Sequence, residues 1–216
     1  MQALSTAPTP APSLSVKSLT GERGSRLLFT DLAFELRAGE MLWVRGRNGR
    51  GKTSLLRLVA GLGAAPRGEL LFNGVARPVQ RNVVYVGHAN ALKEDLSVGE
   101  ALTFLLRIHG GRIDAAALSS ALDHWGLLAQ ENEPVRNLSQ GQRRRVALAR
   151  LSVERRASLW VLDEPFDALD ANGAACLNAL LAAHLKRGGS VLITGHQAAL
   201  DPDLPRLELD LDDCDA

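Results

Sequence analysis

Met41-Leu42-Trp43-Val44-Arg45-Gly46-Arg47-Asn48-Gly49-Arg50-Gly51-Lys52-Thr53 decides the fold. Four apolar residues, Met41–Val44, form a short buried strand that runs straight into a glycine-rich loop. Beyond Gly51, the residues Leu55, Leu56, Leu58 and Val59 have helical spacing, and Gly61 stands where a C-cap belongs. Strand, glycine loop and helix in this order are the context a phosphate-binding loop requires. Glycines at 46, 49 and 51 permit a turn in which the backbone N–H groups of Asn48 to Thr53 point inward. The helix behind them aims its positive end at the same point. Lys52 is placed to reach β- and γ-phosphates as a point charge, and the Thr53 hydroxyl to hold Mg²⁺. The predicted phosphate-binding set is Gly46, Arg47, Asn48, Gly49, Arg50, Gly51, Lys52 and Thr53.

Outward from this loop the pattern is α/β. Ser13–Leu19 and Leu27–Leu36 alternate as paired strands with a turn at Gly21–Gly24, and Gly68–Phe72 and Val83–Val86 read as short strands. Amphipathic helices are predicted at Val98–Ile108 and Asp114–Trp125, with a third starting near Ser139 and carrying Val146, Leu148, Ala149 and Leu151. Strand signals return at Leu159–Leu162 and Val191–Thr194, around a helix at Asn172–Lys186. The expected fold is a phosphate-loop NTPase: a mostly parallel core sheet, an antiparallel β subdomain and an inserted helical subdomain at about 95–155. Residues 1–12, rich in Ala, Pro, Thr and Ser, read as a disordered extension. The ordered domain is expected over 13–209, with 210–216 as a frayed acidic tail.

Two further runs carry chemistry. Asp163 follows four apolar residues and so ends a buried strand beside the phosphate loop, the usual ligand position in open α/β sheets. It is predicted to hold Mg²⁺, with Glu164 polarising the attacking water as general base. Leu138-Ser139-Gln140-Gly141-Gln142 offers a serine N-cap and a glycine with free N–H groups, an anion site with no charge of its own. Arg143, Arg144 and Arg145 are expected on the solvated face of the helix that follows.

With these three runs in this order, the chain resembles the ABC transporter nucleotide-binding domain from about Ser13 to Leu209. The resemblance implies ATP held between two copies of the chain, Ser139 and Gly141 facing the γ-phosphate bound by the opposite subunit. Ala168-Leu169-Asp170 looks like the family's D-loop at the dimer seam, which places Asp170 near nucleotide. His196, after the strand Val191–Thr194, matches the switch histidine that bonds the γ-phosphate and orients Glu164. Gly87-His88 stands where most relatives have a metal-sensing glutamine, so His88 is the candidate for that role. Arg23 occupies the position of the ring that stacks on adenine, where its guanidinium could take over.

A finer resemblance rests on Gly87-His88, on Lys93 with Leu96–Glu100, on Asp163–Phe166, on His196-Gln197 and on Arg143–Leu151. These runs are similar to the ATP-binding export proteins of cytochrome c biogenesis. That implies a homodimer of ATPase subunits on integral membrane subunits of the cytochrome c maturation system, at the cytoplasmic face of a bacterial inner membrane. Hydrolysis would drive haem export or release of the haem-loaded periplasmic chaperone; an ATPase subunit serving another substrate is the alternative. Haem enters only indirectly, because neither Cys176 nor Cys214 lies in a Cys-x-x-Cys-His run.

Composition narrows the alternatives. A length of 216 residues suits one α/β domain, and 46% hydrophobic with 23% charged residues is ordinary globular usage. A formal net charge of +1 gives no basic footprint for nucleic acid. No run approaches the ~18 apolar residues of a membrane span. A phosphate-loop kinase would have no use for Leu138–Gln142, and a soluble ABC protein of ribosomes or DNA would need two cassettes or coiled-coil arms. Two cysteines, read as idle thiols of a reducing compartment, provide no disulfide framework.

Overall fold

The computed structural model describes residues 13–76, 83–108, 114–195 and 199–214; the expected extension at 1–12 and His196 lie outside the described residues. Strands β1 (Leu14–Arg23) and β2 (Arg26–Leu36) form a hairpin, and β3 (Met41–Arg45) leads through the glycine loop to α1 (Lys52–Val59). Then come β4 (Arg67–Phe72), β5 (Val75–Ala76) and β6 (Val83–Val86), followed by three helices, α2 (Val98–Ile108), α3 (Ala115–His124) and α4 (Gln140–Val153). The chain closes with β7 (Leu159–Leu162), α5 (Ala171–Lys186), β8 (Ser190–Thr194) and β9 (Leu207–Asp210).

Five strands pair in parallel in the order β6-β7-β8-β3-β9. Successive side chains of a strand face opposite ways, so a strand covered on both faces must be apolar throughout. That explains the runs Met41–Val44, Leu159–Leu162 and Val191–Ile193. Met41, Trp43, Val84, Val86, Trp160, Leu162, Val191 and Ile193 enter the core beneath α2–α5. Their alternates Leu42, Val44, Val83, Leu159, Val161 and Leu192 enter a second core with α1 and the antiparallel strands. On the first side, Trp160 stacks on the fully buried His184 at 3.8 Å between ring centroids, and His184 Nε2–H donates to Ser158 O at 2.8 Å.

The antiparallel sheet, β2-β1-β4-β5, departs from expectation at one place. The turn was expected at Gly21–Gly24, yet β1 continues to Arg23 and the turn shifts to Gly24-Ser25. Gly21 is a strand glycine: a Cβ there would lie 2.2 Å from the Phe29 ring, which is fully buried. A register shift after Val16 accompanies the positive φ of Ser18, 45°.

The C-terminal segment corrects a second expectation. Instead of fraying at 210, the chain makes a 3₁₀ turn over Leu211–Asp213, with Leu211 fully buried in the α1-side core. The acidic composition of 210–213 concealed one apolar anchor and an ion-pair partner for the phosphate loop.

Candidate active site

The glycine loop arrives from β3 with Gly46, Gly49 and Gly51 all at positive φ (133°, 84° and 104°), a path that side-chain-bearing residues rarely follow. Lys52 Nζ lies back over the loop, donating to Gly46 O at 2.5 Å and Arg47 O at 3.3 Å. Thr53 and Asn48 are exposed. Two expected phosphate ligands have other partners. Arg47 donates from its backbone N–H to Asp212 Oδ2 at 2.9 Å and from Nε to Oδ1 at 3.3 Å. Arg50 donates from Nη2 to Leu211 O at 2.8 Å and Cys214 O at 2.7 Å, with Nε 3.2 Å from Asp212 Oδ1. The Arg50 side chain is thus a brace for the C-terminal turn rather than a phosphate ligand. Burial pushes the Asp212 carboxyl up, but the Arg47 hydrogen bonds and the charges of Arg47 and Arg50 hold it below its ordinary value.

Beside the loop, Asp163 directly follows β7 and is 1% exposed. Its Oδ1 accepts from Thr194 Oγ1 at 2.8 Å, while Oδ2 is buried with no hydrogen-bond partner among the described residues. A buried, unpartnered carboxylate oxygen costs free energy, and a hard cation such as Mg²⁺ takes oxygen ligands of this kind. The donor set therefore fits Mg²⁺.

Glu164 stands next in the chain at φ 48°, a left-handed conformation that costs a non-glycine residue about 1–3 kcal/mol and persists only where its surroundings over-determine it. Here they do. Its N–H donates to Thr194 Oγ1 at 2.9 Å and its C=O accepts from Arg144 Nη2 at 2.7 Å. Burial first, then the hydrogen bond and charge of Asp167, raise the Glu164 carboxyl above the ordinary glutamate value. His88 Nδ1 lies 3.9 Å from Glu164 Oε2 and 4.0 Å from Asp167 Oδ2. His88 therefore faces the expected base and Asp167; the three ligand atoms lie within 4.8 Å of one another.

One cavity of about 550 Å³ collects Gly46, Arg47, Asn48, Lys52, Glu164 and Gly195, among other residues. This volume suits a nucleotide-sized ligand. Trp43 Nε1–H donates to Gly195 O at 3.1 Å and so fixes the residue that precedes His196. Arg23 does not line this cavity; it is exposed at the end of β1, paired with Arg26.

Ser139 and Gly141 sit at the start of α4. Ser139 Oγ accepts from Gln142 N–H at 3.2 Å and Gln142 Oε1 accepts from Ser139 N–H at 2.9 Å, a reciprocal cap. Gly141 presses on the next loop, since a Cβ there would come 2.8 Å from Ala168 O. The Asp170 carboxylate caps α5, accepting from Gly173 N–H at 2.9 Å, and pairs with Arg145. These contacts hold it below the ordinary carboxylate value and engage both of its oxygens, against the expectation of a nucleotide contact.

The three arginines after Gln142 are not a solvated face. Arg144 is 3% exposed and uses all five N–H donors on protein oxygens. Arg143 donates to Leu138 O, Arg136 O and Glu94, and Arg145 to Trp125 O and Asp170. Spacing was the available signal: Arg144, Leu148 and Leu151 are i, i+4 and i+7, so Arg144 shares the core-facing stripe of α4. Thr194 was legible as the polar residue closing an apolar strand, whereas nothing in the sequence singles out Asp167.

Comparison with known proteins agrees with this geometry. The ABC transporter family model matches residues 29–167. The cytochrome c biogenesis ATP-binding export protein CcmA of Vibrio cholerae is 42% identical over 203 residues, covering 91% of this chain and 98% of its own. Its counterpart from Pseudomonas savastanoi is 46% identical over 192 residues, covering 86% and 88%. Among solved structures, the ATP-binding subunit of an ABC transporter superposes with a TM-score of 0.76 at 25% identity, over 86% of this chain and 80% of that one. An ATP-binding cassette solved as a dimer after hydrolysis, with ADP and phosphate, shares the fold at a TM-score of 0.75 and 20% identity, over 86% and 88%. The chain belongs to the ABC transporter family and, within it, to the cytochrome c biogenesis ATP-binding export proteins.

Proposed function

We propose that this ABC ATPase powers a membrane complex of cytochrome c maturation, coupling ATP hydrolysis to haem export or to release of the haem-loaded periplasmic chaperone. It acts as a homodimer seated on integral membrane subunits at the cytoplasmic face of the bacterial inner membrane. The observation that carries the hydrolytic part is the Glu164 carboxylate lining one cavity with Lys52 and the glycine loop, on a backbone held at both ends. The maturation role is supported by relatives more than 40% identical over nearly their whole length.

Each residue then has a task. The N–H groups of 48–53 and Lys52 hold the β- and γ-phosphates. Asp163 Oδ2 and the Thr53 hydroxyl are the protein oxygens for Mg²⁺, which when bound would offset phosphate charge. Glu164 takes the proton of the attacking water, His88 stands over Glu164 and Asp167, and His196 reaches the γ-phosphate. Ser139 and Gly141 complete the partner's site with uncharged donors. Asp170 serves that face by fixing Arg145 and the start of α5, and Arg23 stacks on adenine.

The test is Glu164→Gln. It keeps ATP affinity, lowers turnover by about 10²–10⁴-fold, the usual worth of a general base, and accumulates a nucleotide-bound dimer. In cells dependent on this chain, the variant fails to restore c-type cytochromes. Hydrolysis near the wild-type rate removes Glu164 as base; c-type cytochromes made without the chain remove the maturation role.

A further inference from the structure

Arg144 makes an arrangement that the reaction described above does not use. Its side chain leaves α4 four residues after the helix's first residue, Gln140, and ends between two loops. On one side Nη1 donates to Gly87 O at 2.8 Å and to Asn90 Oδ1 at 3.2 Å, the loop that carries His88. On the other, Nη2 donates to Asp163 O at 2.9 Å and Glu164 O at 2.7 Å, and Nε to Pro165 O at 3.2 Å. Every donor of a guanidinium is satisfied, in a fork whose planar geometry an ammonium cannot copy. A charge at 3% exposure is a heavy cost for packing alone, because an apolar side chain of like size would fill the space without desolvating a cation.

We propose that Arg144 is a positioning residue for hydrolysis: it locks the Glu164 backbone in its left-handed turn and ties that turn to the His88 loop and to α4. The proposal rests on Glu164 being the base. The carboxylate's direction follows from the Asp163–Pro165 backbone, and Thr194 pins only its amide end. Release of the carbonyl end lets the turn relax toward ordinary φ values and carries the carboxylate away from the attacking water. The glycine loop is untouched, since none of the five acceptors belongs to it. Movement at either linked element, the His88 loop or the capped start of α4, is felt at Glu164 through the same group.

The experiment compares Arg144→Lys and Arg144→Ala in the full chain, reading ATP affinity at equilibrium, KM and kcat, with Glu164→Gln as reference. Arg144→Lys keeps the buried charge but cannot span both loops. We expect kcat to fall about 10²-fold, the effect of roughly 1 Å of misplacement, while KM and ATP affinity stay within about threefold. Arg144→Ala leaves a guanidinium-shaped space, so millimolar guanidinium raises its kcat about tenfold or more and equal sodium chloride does not. If the alanine variant does not fold, the lysine variant alone decides. Turnover by Arg144→Lys within about threefold of wild type, parallel loss of affinity and kcat, or a folded Arg144→Ala that guanidinium leaves unchanged each overturns the proposal. An inactive Glu164→Gln beside an active Arg144→Lys sinks only the positioning role, whereas an active Glu164→Gln sinks the base itself.

Discussion

At the scale of single residues, Glu164 is shaped by conflict. Its carboxyl is raised by burial and by Asp167. A base must be deprotonated to act, so turnover is full above the raised value and falls about tenfold per pH unit below it. The acid limb of kcat should therefore lie at higher pH than an ordinary glutamate would give, and should move down when Asp167→Asn removes the neighbouring charge. A limb unmoved by that change removes Asp167 as its cause. The sign for stability is opposite. The folded state binds the Glu164 proton more tightly than the unfolded chain does, so stability declines as pH rises from the ordinary glutamate value through the raised one. At neutral pH the charged carboxylate is then a net cost. Glu164→Gln should accordingly raise the thermal midpoint while losing turnover, and a midpoint that does not rise would show that the carboxylate is no cost to the fold.

At the scale of elements, the start of α4 shows how a functional surface is built from ordinary helix chemistry. Ser139 and Gln142 satisfy one another's N–H groups, and Gly141 lets α4 touch Ala168 O. Ser139→Ala leaves Gln142 N–H without its side-chain acceptor, and the expected cost is about 1 kcal/mol in thermal or urea denaturation. A loss below about 0.3 kcal/mol would mean that solvent replaces the cap fully. Caps and strands of this kind were legible because their cause is local: a serine before a run of helical spacing, or four apolar residues before a glycine or an aspartate. The ends of β1 were not, because Gly21 reads as a turn until Phe29, eight residues away, is known to need its space. Nor were the partners of Arg144, whose burial the helical spacing signals but four of whose five acceptors are carbonyls at 87 and 163–165 that any sequence would supply. The candidate site was legible where a motif fixes the residue that does the chemistry, and hidden where backbone oxygens, or the carboxylate of Asp167 outside any motif, take part.

At the scale of the whole molecule, the C-terminus returns to brace the glycine loop near the beginning of the fold. β9 pairs with β3 in parallel, Leu42 to Leu207 through Arg45 to Asp210, so the last strand flanks the strand that launches the loop. Beyond it, Leu211 fills the α1-side core, and a Cβ on Gly46 would come within 3.3 Å of it. Arg50 reaches across to the Leu211 and Cys214 carbonyls, and Asp212 takes the Arg47 N–H. Removal of residues 211–216 therefore takes an apolar anchor and the acceptors of two loop residues together. Burial of one leucine is worth about 1.5–3 kcal/mol, and each hydrogen bond adds about 0.5–1.5 kcal/mol net. The truncated chain should lose about 3–7 kcal/mol in denaturant unfolding. Its ATP affinity should fall as well, because a loop freed from Asp212 and Leu211 must be ordered again by the nucleotide, and that ordering is drawn from binding free energy. The two losses need not share a cause, and Arg50→Gln separates them. It keeps Leu211 in the chain while removing the bonds to the turn, so affinity should fall more than stability does. If affinity survives both changes, the turn stabilises the fold without organising the loop.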